Sequence, residues 1–192
     1  PLKGYKFSAA EGGLRVPLIL HWAGGKWPSG AIASGFAHVT DLAPTIAQLA
    51  GAALPDGNWQ GRPVEPVTGR SLVPMLAGGS HSVHGDEPLG YELAGNSALF
   101  RGGYKLMRNL PPTGTGEWEL YNLTEDMGET RNLADVQPEI FASMLADYQA
   151  YAKANGVLDM PDGYRSDDQI NLYAMRRQGM RPWVIGGAVL LV

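Results

Sequence analysis

The chain has 192 residues, 44% of them apolar and 18% charged, a balance that supports a packed core and argues against global disorder. Its 15 Lys and Arg against 19 Asp and Glu leave a net charge of −4, which argues against a broad nucleic-acid surface. With no Cys, it has no disulfide framework, no zinc–thiolate site and no cysteine nucleophile within these residues.

The 26 Gly and 14 Pro predict many turns and long loops. Residues 1–16 mix Lys3, Lys6, Glu11 and Arg15 with Gly4, Gly12 and Gly13 and read as a loop with tight turns. The apolar run over 16–22, Val-Pro-Leu-Ile-Leu-His-Trp, predicts a strand buried on both faces. Thr40-Asp41 opens a helix, since either side chain can accept from the first free backbone N–H groups and Pro44 fits only in a first turn. Leu42, Ile46, Leu49 and Ala50 recur at helical spacing up to Gly51, a C-terminal stop. A Gly- and Pro-rich loop over 52–70 leads to a short helix within 71–77, ended by Gly78-Gly79.

The second half changes character. Short strands are expected over 89–93, 97–101, 104–108 and 117–121, separated by Gly95-Asn96, Gly102-Gly103 and the turn-rich 111–116. That spacing points to an antiparallel meander. Residues 117–121 alternate polar and apolar, as in a strand with one wet face. From Pro138, the residues Ile140, Phe141, Met144, Leu145, Tyr148, Tyr151 and Ala152 form one stripe of a helix that covers a face of the meander and ends at Asn155-Gly156. Residues 157–168 read as a loop and 169–178 as a further helix.

Residue chemistry alone is sparse: no nucleophile motif, phosphate loop or metal-ligand set stands out. The densest polar cluster is the opening loop, Lys3 to Pro17. Its Lys and Arg could hold an anion and its glycines admit close backbone approach, although a solvated loop leading into a strand is the plainer reading. His81 and His84 lie three apart with Asp86 nearby, a metal-like spacing, but Gly79-Ser80 and Gly85 point to an exposed polar turn. His21 reads as a hydrogen-bonded core histidine, and His38 as packing at a strand end or facing a cleft. Asn122-Leu123-Thr124 matches a glycosylation sequon without any sign of a secretory context.

Several segments carry a family resemblance. Glu11-Gly12-Gly13-Leu14-Arg15-Val16-Pro17 fits Glu-Gly-Gly-x-Arg-x-Pro, and Val39-Thr40-Asp41-Leu42-Ala43-Pro44-Thr45 a helix start that ends at Ala50-Gly51. Phe100-Arg101-Gly102-Gly103-Tyr104-Lys105-Leu106, Trp118-Glu119-Leu120-Tyr121-Asn122-Leu123 and Asp126-Met127-Gly128-Glu129-Thr130-Arg131-Asn132-Leu133 follow in order. This series, over residues 3 to about 155, resembles the sulfatases of the alkaline phosphatase superfamily, bacterial arylsulfatases in particular. Ser8-Ala9-Ala10 departs from the family's usual Thr-Thr-Tyr before the Glu.

The resemblance implies an α/β fold class, here an α+β portion. Residues 1–80 would end the large mixed-sheet domain, 81–156 would form a small subdomain with a four-stranded antiparallel sheet packed on a helix, and 157–192 a tail. It implies hydrolysis of sulfate monoesters, with a phosphodiesterase or phosphonate monoester hydrolase, or a non-catalytic interaction domain, as alternatives. The lysine five positions before the Glu, Lys6, would contact the substrate sulfate, with Lys3 as a second candidate and Glu11 and Arg15 bracing the loop. Family catalysis uses Ca²⁺ and a formylglycine made within Cys/Ser-x-Pro/Ala-x-Arg. This chain has no Cys, Ser29 is followed by Gly30-Ala31-Ile32-Ala33, and no Asp-Asn-Gly segment occurs. Neither cofactor nor metal is therefore expected within these residues, and the chain alone is expected to be inactive.

The start at Pro1 and the stop inside the apolar run 182–192 suggest a fragment whose partners are a sulfate ester and the missing N-terminal part of the same protein. No nucleic-acid partner is expected. The run follows Arg176, Arg177 and Arg181 and reads as the start of a membrane anchor, or as a buried strand or an apolar contact with a partner. Such a tail would favour membrane contact and self-association, in a bacterial cytoplasm or periplasm.

Overall fold

The computed structural model describes residues 1–25, 27–78, 82–177, 183–185 and 188–190. Along the chain come α1 (Glu11–Leu14), a 3-10 turn (Val39–Asp41) running into α2 (Leu42–Ala50), and the short strands β1 (Asn58–Trp59) and β2 (Arg62–Pro63). Next are α3 (Val73–Leu76), β3 (Leu89–Leu93), β4 (Asn96–Arg101), β5 (Tyr104–Arg108), β6 (Trp118–Asn122), α4 (Pro138–Asn155), α5 (Ser166–Arg177), β7 (Trp183–Ile185) and β8 (Ala188–Leu190). These fall into two units, residues 18–87 and residues 1–17 with 88–192.

In the unit 18–87, α2 ends where expected, with Gly51 in the left-handed conformation at φ 63°. Its start differs from expectation. Asp41 does not cap forward; its Oδ2 reaches back to accept the His38 backbone N–H at 2.7 Å. The Thr40 N–H points to His38 Nδ1, so His38 is a turn cap, not a cleft residue. The strand expected over 16–22 is not formed: Val16 is 76% and Ile19 90% exposed. An extended run becomes a strand only by exchanging backbone bonds with a neighbour, and among the described residues none pairs with it. His21 is accordingly exposed, not a core histidine.

The other unit is built on the expected meander, a sheet of order β3-β4-β5-β6 with every pair antiparallel. Register places Leu99 opposite Leu106 and Leu106 opposite Leu120. This fully buried leucine row packs on Met144 and Tyr148 of α4, with Ile140, Phe141, Leu145, Tyr151 and Ala152 around it. The predicted helical stripe is thus the one that meets the sheet, and each buried leucine contributes about 1.5–3 kcal/mol. Gly156 ends α4 at φ 64°. The next row, Phe100 opposite Lys105 and Lys105 opposite Tyr121, projects to the other face because side chains alternate. That face is not wet, contrary to the sequence reading. Tyr121 is 2% and Lys105 0% exposed, because the opening segment of the chain covers them.

α5 starts three residues earlier than expected, at Ser166. Within the apolar run 182–192, β7 pairs antiparallel with β8 and the remaining positions lie outside the described residues, as does Arg181. Among the described residues no helix is long and apolar enough to cross a membrane.

Candidate functional site

The opening loop folds on itself before it meets the sheet. The Gly12 N–H donates to the Lys3 carbonyl at 2.7 Å, and a Cβ on Gly12 would fall 2.3 Å from the Gly4 carbonyl oxygen. A Cβ on Gly13 would fall 2.2 Å from the Ser8 carbonyl oxygen. Both glycines of the Glu-Gly-Gly segment therefore serve close approach of the loop's own backbone. The Ser8 N–H donates to the Tyr5 carbonyl at 3.0 Å, closing a turn around Lys6 and Phe7. Phe7 has φ 71°, a left-handed conformation that bulky residues seldom adopt.

Side chains from β4, from the end of β5 and from the turn after β6 hold this loop. Asn96 Nδ2 donates to the Phe7 carbonyl at 2.5 Å. Asn109 Oδ1 accepts the Ala9 N–H at 2.7 Å and faces Ser8 Oγ at 3.4 Å. Glu129 Oε2 accepts the Glu11 N–H at 2.7 Å.

A buried charge cluster completes the attachment. Lys105 Nζ donates to Glu11 Oε1 at 2.9 Å and to Glu129 Oε1 at 2.8 Å. Arg15 Nε donates to Glu11 Oε2 at 2.7 Å. Two cations face two carboxylates, and all four carboxylate oxygens accept a bond, the condition under which buried charges are tolerated. Glu129 is placed by a turn with its own φ at 54°. Asp126 braces that turn, its carboxylate accepting the N–H groups of Arg131 and Thr130 at 2.9 and 2.7 Å. The Arg131 N–H foremost, then Thr130, hold the Asp126 carboxyl below its ordinary pKa.

The predicted residues thus take different places. Lys6 stands exposed at the turn, its Nζ 5.9 Å from the Phe7 ring centroid, and among the described residues no carboxylate pairs with it. Lys3 is engaged elsewhere: Nζ donates to the Tyr121 hydroxyl at 2.8 Å and lies 3.5 Å from Glu119 Oε2. Tyr121 donates to Glu119 at 3.0 Å, and burial first, then that carboxylate, raise its pKa. Glu11 and Arg15 pair with each other inside the loop's attachment.

Sequence reasoning missed Lys105, Glu129, Asn96 and Asn109. The available signal was a lysine inside the otherwise apolar Tyr-Lys-Leu-Met stretch of β5.

A second polar cluster belongs to the unit 18–87. Asp41 is fully buried and accepts from the backbone N–H groups of His38 and Arg70, while His84 Nε2 lies 2.9 Å from its Oδ2. His84 is therefore tied to Asp41 and not placed in an exposed turn; His81 lies outside the described residues. Among the described residues no group of three or more His, Asp or Glu side chains could hold a metal ion.

Residues 1–52 match the family model for sulfatases. An uncharacterized sulfatase of Schizosaccharomyces pombe is 35% identical over 160 residues, 82% of this chain and 28% of that protein. The chain belongs to the sulfatase family. A sulfatase of Formosa agariphila is 30% identical over 156 residues, 72% of this chain and 26% of its own length. This sulfatase chain thus spans little more than a quarter of the length of these two relatives. Its fold is similar to part of the solved structure of Ps i-CgsB in complex with k-i-k-neocarrahexaose. That likeness has a TM-score of 0.65 at 24% identity and covers 93% of this chain and 38% of the other.

The Ca²⁺ and formylglycine implied by the family do not fit the residues present here. No Cys or matching serine motif occurs, and no carboxylate group of the required size converges among the described residues.

Proposed function

We propose that this chain is the C-terminal part of an enzyme that hydrolyses sulfate monoesters to sulfate and an alcohol or phenol, arylsulfatase-like in substrate, and that Lys6 contacts the sulfate. One observation carries this reading. Of the three basic residues on the opening loop, Lys3 and Arg15 are committed to carboxylates, while Lys6 is exposed on a turn whose far flank is bonded to the sheet. Cleavage of the S–O bond builds negative charge on the sulfuryl and leaving oxygens. An ammonium already in place there stabilises that charge more in the transition state than in the ground state.

The rest of the site would come from chain outside these residues, and so would a neighbour for the exposed run 16–22, which no described residue provides. Ile19, 90% exposed, would pair there; in isolation the same run would drive self-association, read by sedimentation velocity at rising concentration.

The deciding experiment assays the longer protein that contains this chain, with Ca²⁺, on a sulfate monoester and a phosphate diester, as wild type and Lys6→Ala. Sulfate-ester hydrolysis that falls sharply in Lys6→Ala supports the reading. Preference for the diester would assign the alternative hydrolase activity, and no activity on either an interaction domain.

A further inference from the structure

We infer that Asn96, Asn109 and the Lys105–Glu129 pair are positioning residues for Lys6: the antiparallel sheet and the turns at its strand ends set where that ammonium stands. This rests on the sulfate-contacting reading of Lys6.

The turn that presents Lys6 has one internal backbone bond, Ser8 N–H to the Tyr5 carbonyl, and it holds Phe7 at φ 71°. A turn of this kind normally relies on Gly or Asn at the left-handed position. With Phe there the conformation persists only where surrounding bonds over-determine it. Those bonds come from far along the chain. Asn96 fixes the Phe7 carbonyl across 89 positions, Asn109 the Ala9 N–H across 100, and Glu129 the Glu11 N–H across 118. Lys105 then joins Glu129 to the Glu11 side chain.

On the near flank Lys3 is fixed to Tyr121 and Glu119. Residues on both sides of Lys6 are thus bonded to one sheet, while its own side chain is left to the solvent. The leucine row that stabilises the sheet points to the opposite face, so the attachment can be weakened without opening the core. Catalytic charge stabilisation depends steeply on placement, so loss of these bonds should act on turnover through Lys6.

The test has two arms. In this chain, amide hydrogen exchange is followed at Ala9 and Glu11 against Leu99 and Leu106 in the sheet. Asn109→Ala should speed exchange at Ala9 about tenfold and leave the sheet amides unchanged, with Asn109→Asp, which keeps the acceptor, restoring protection. No change at Ala9, or equal acceleration in the sheet, overturns the inference.

In the longer protein, kcat and KM for a sulfate monoester are compared for Lys6→Ala, Asn109→Ala and the double variant. The inference expects Asn109→Ala to lower kcat about tenfold with little change in KM, and to add almost nothing once Lys6 is gone. Fully additive losses overturn it. A silent Lys6→Ala removes the proposed function itself, and the positioning role with it. Exchange at Ala9 still reports separately whether the sheet holds the turn, so the two failures are told apart.

Discussion

The Lys105 ammonium donates to the Glu11 carboxylate at 2.9 Å although 94 positions separate the two residues. Glu129, at 2.8 Å, shares the same ammonium, and Lys105 is 0% exposed. Lys105→Met would leave Glu129 buried without a cation, and Glu11 with Arg15 alone. We expect it to lower stability by about 3–5 kcal/mol, read by urea unfolding with tryptophan fluorescence. Adding Glu129→Gln, which removes the stranded charge but keeps an acceptor for the Glu11 N–H, should recover part of that loss. A fully additive double variant would contradict the cluster.

Gly12 is fixed by backbone, not by a ligand. Its missing Cβ leaves room for the Gly4 and Lys3 carbonyls, 2.3 and 2.5 Å from where that atom would stand. Neither carbonyl is the end of a flexible side chain. Gly12→Ala should therefore destabilise by about 1–3 kcal/mol in urea unfolding. Gly30→Ala, at a position open to solvent, should show only the cost of a left-handed alanine, about 1–2 kcal/mol.

Tyr148 links α4 to the sheet through a proton count. Its hydroxyl donates to Glu92 Oε1 at 2.7 Å, and Ser97 donates to Glu92 Oε2 at 2.9 Å. Burial foremost pushes the phenol up to about 12, with the Glu92 carboxylate adding to the shift and the Ser97 hydroxyl opposing it. Stability from this group is present below pH 10, the unfolded value, and is lost as pH rises to about 12. Tyr148→Phe should cost about 1–2 kcal/mol at neutral pH. It should also flatten the decline above pH 10 and remove one late ionisation from the ultraviolet titration.

His38 gives the opposite limb. Burial lowers its pKa, Asp41 opposes the shift, and His84 reinforces it. The unfolded chain therefore takes up this proton first, and the neutral ring stabilises the fold above pH 6.5. That contribution fades as pH falls below 6.5 through the lower folded value. Stability measured from pH 7.5 down to 5 should drop less steeply in His38→Asn than in wild type. Parallel slopes would show that His38 contributes nothing to the dependence.

Much of the fold was legible because the signals were local. Gly51 and Gly156 end α2 and α4 where a left-handed residue was called for, and alternation with turn residues placed β3 to β6 within a residue of the observed bounds. The segment 16–22 failed for a reason equally physical. Its apolarity predicts a neighbour on each side, and a strand is defined by the neighbour as much as by itself.

The sequence by itself determined the meander, the helix stripe that covers it and the glycine-bearing loop, since each depends on residues a few positions apart. Only the tertiary structure decided which cations remain free. Lys3 and Lys6 are three residues apart with the same side chain, yet Tyr121 and Glu119 engage the first and leave the second exposed. Likewise, the apolar neighbours of Lys105 set it apart from an ordinary strand lysine, but nothing local names the carboxylates it meets. Its ammonium is buried because Glu11 and Glu129, far apart in sequence, converge on the face of the sheet opposite the leucine row. A charge in a low-dielectric interior is stable only where its counter-charges meet it, and that meeting is a property of the folded chain.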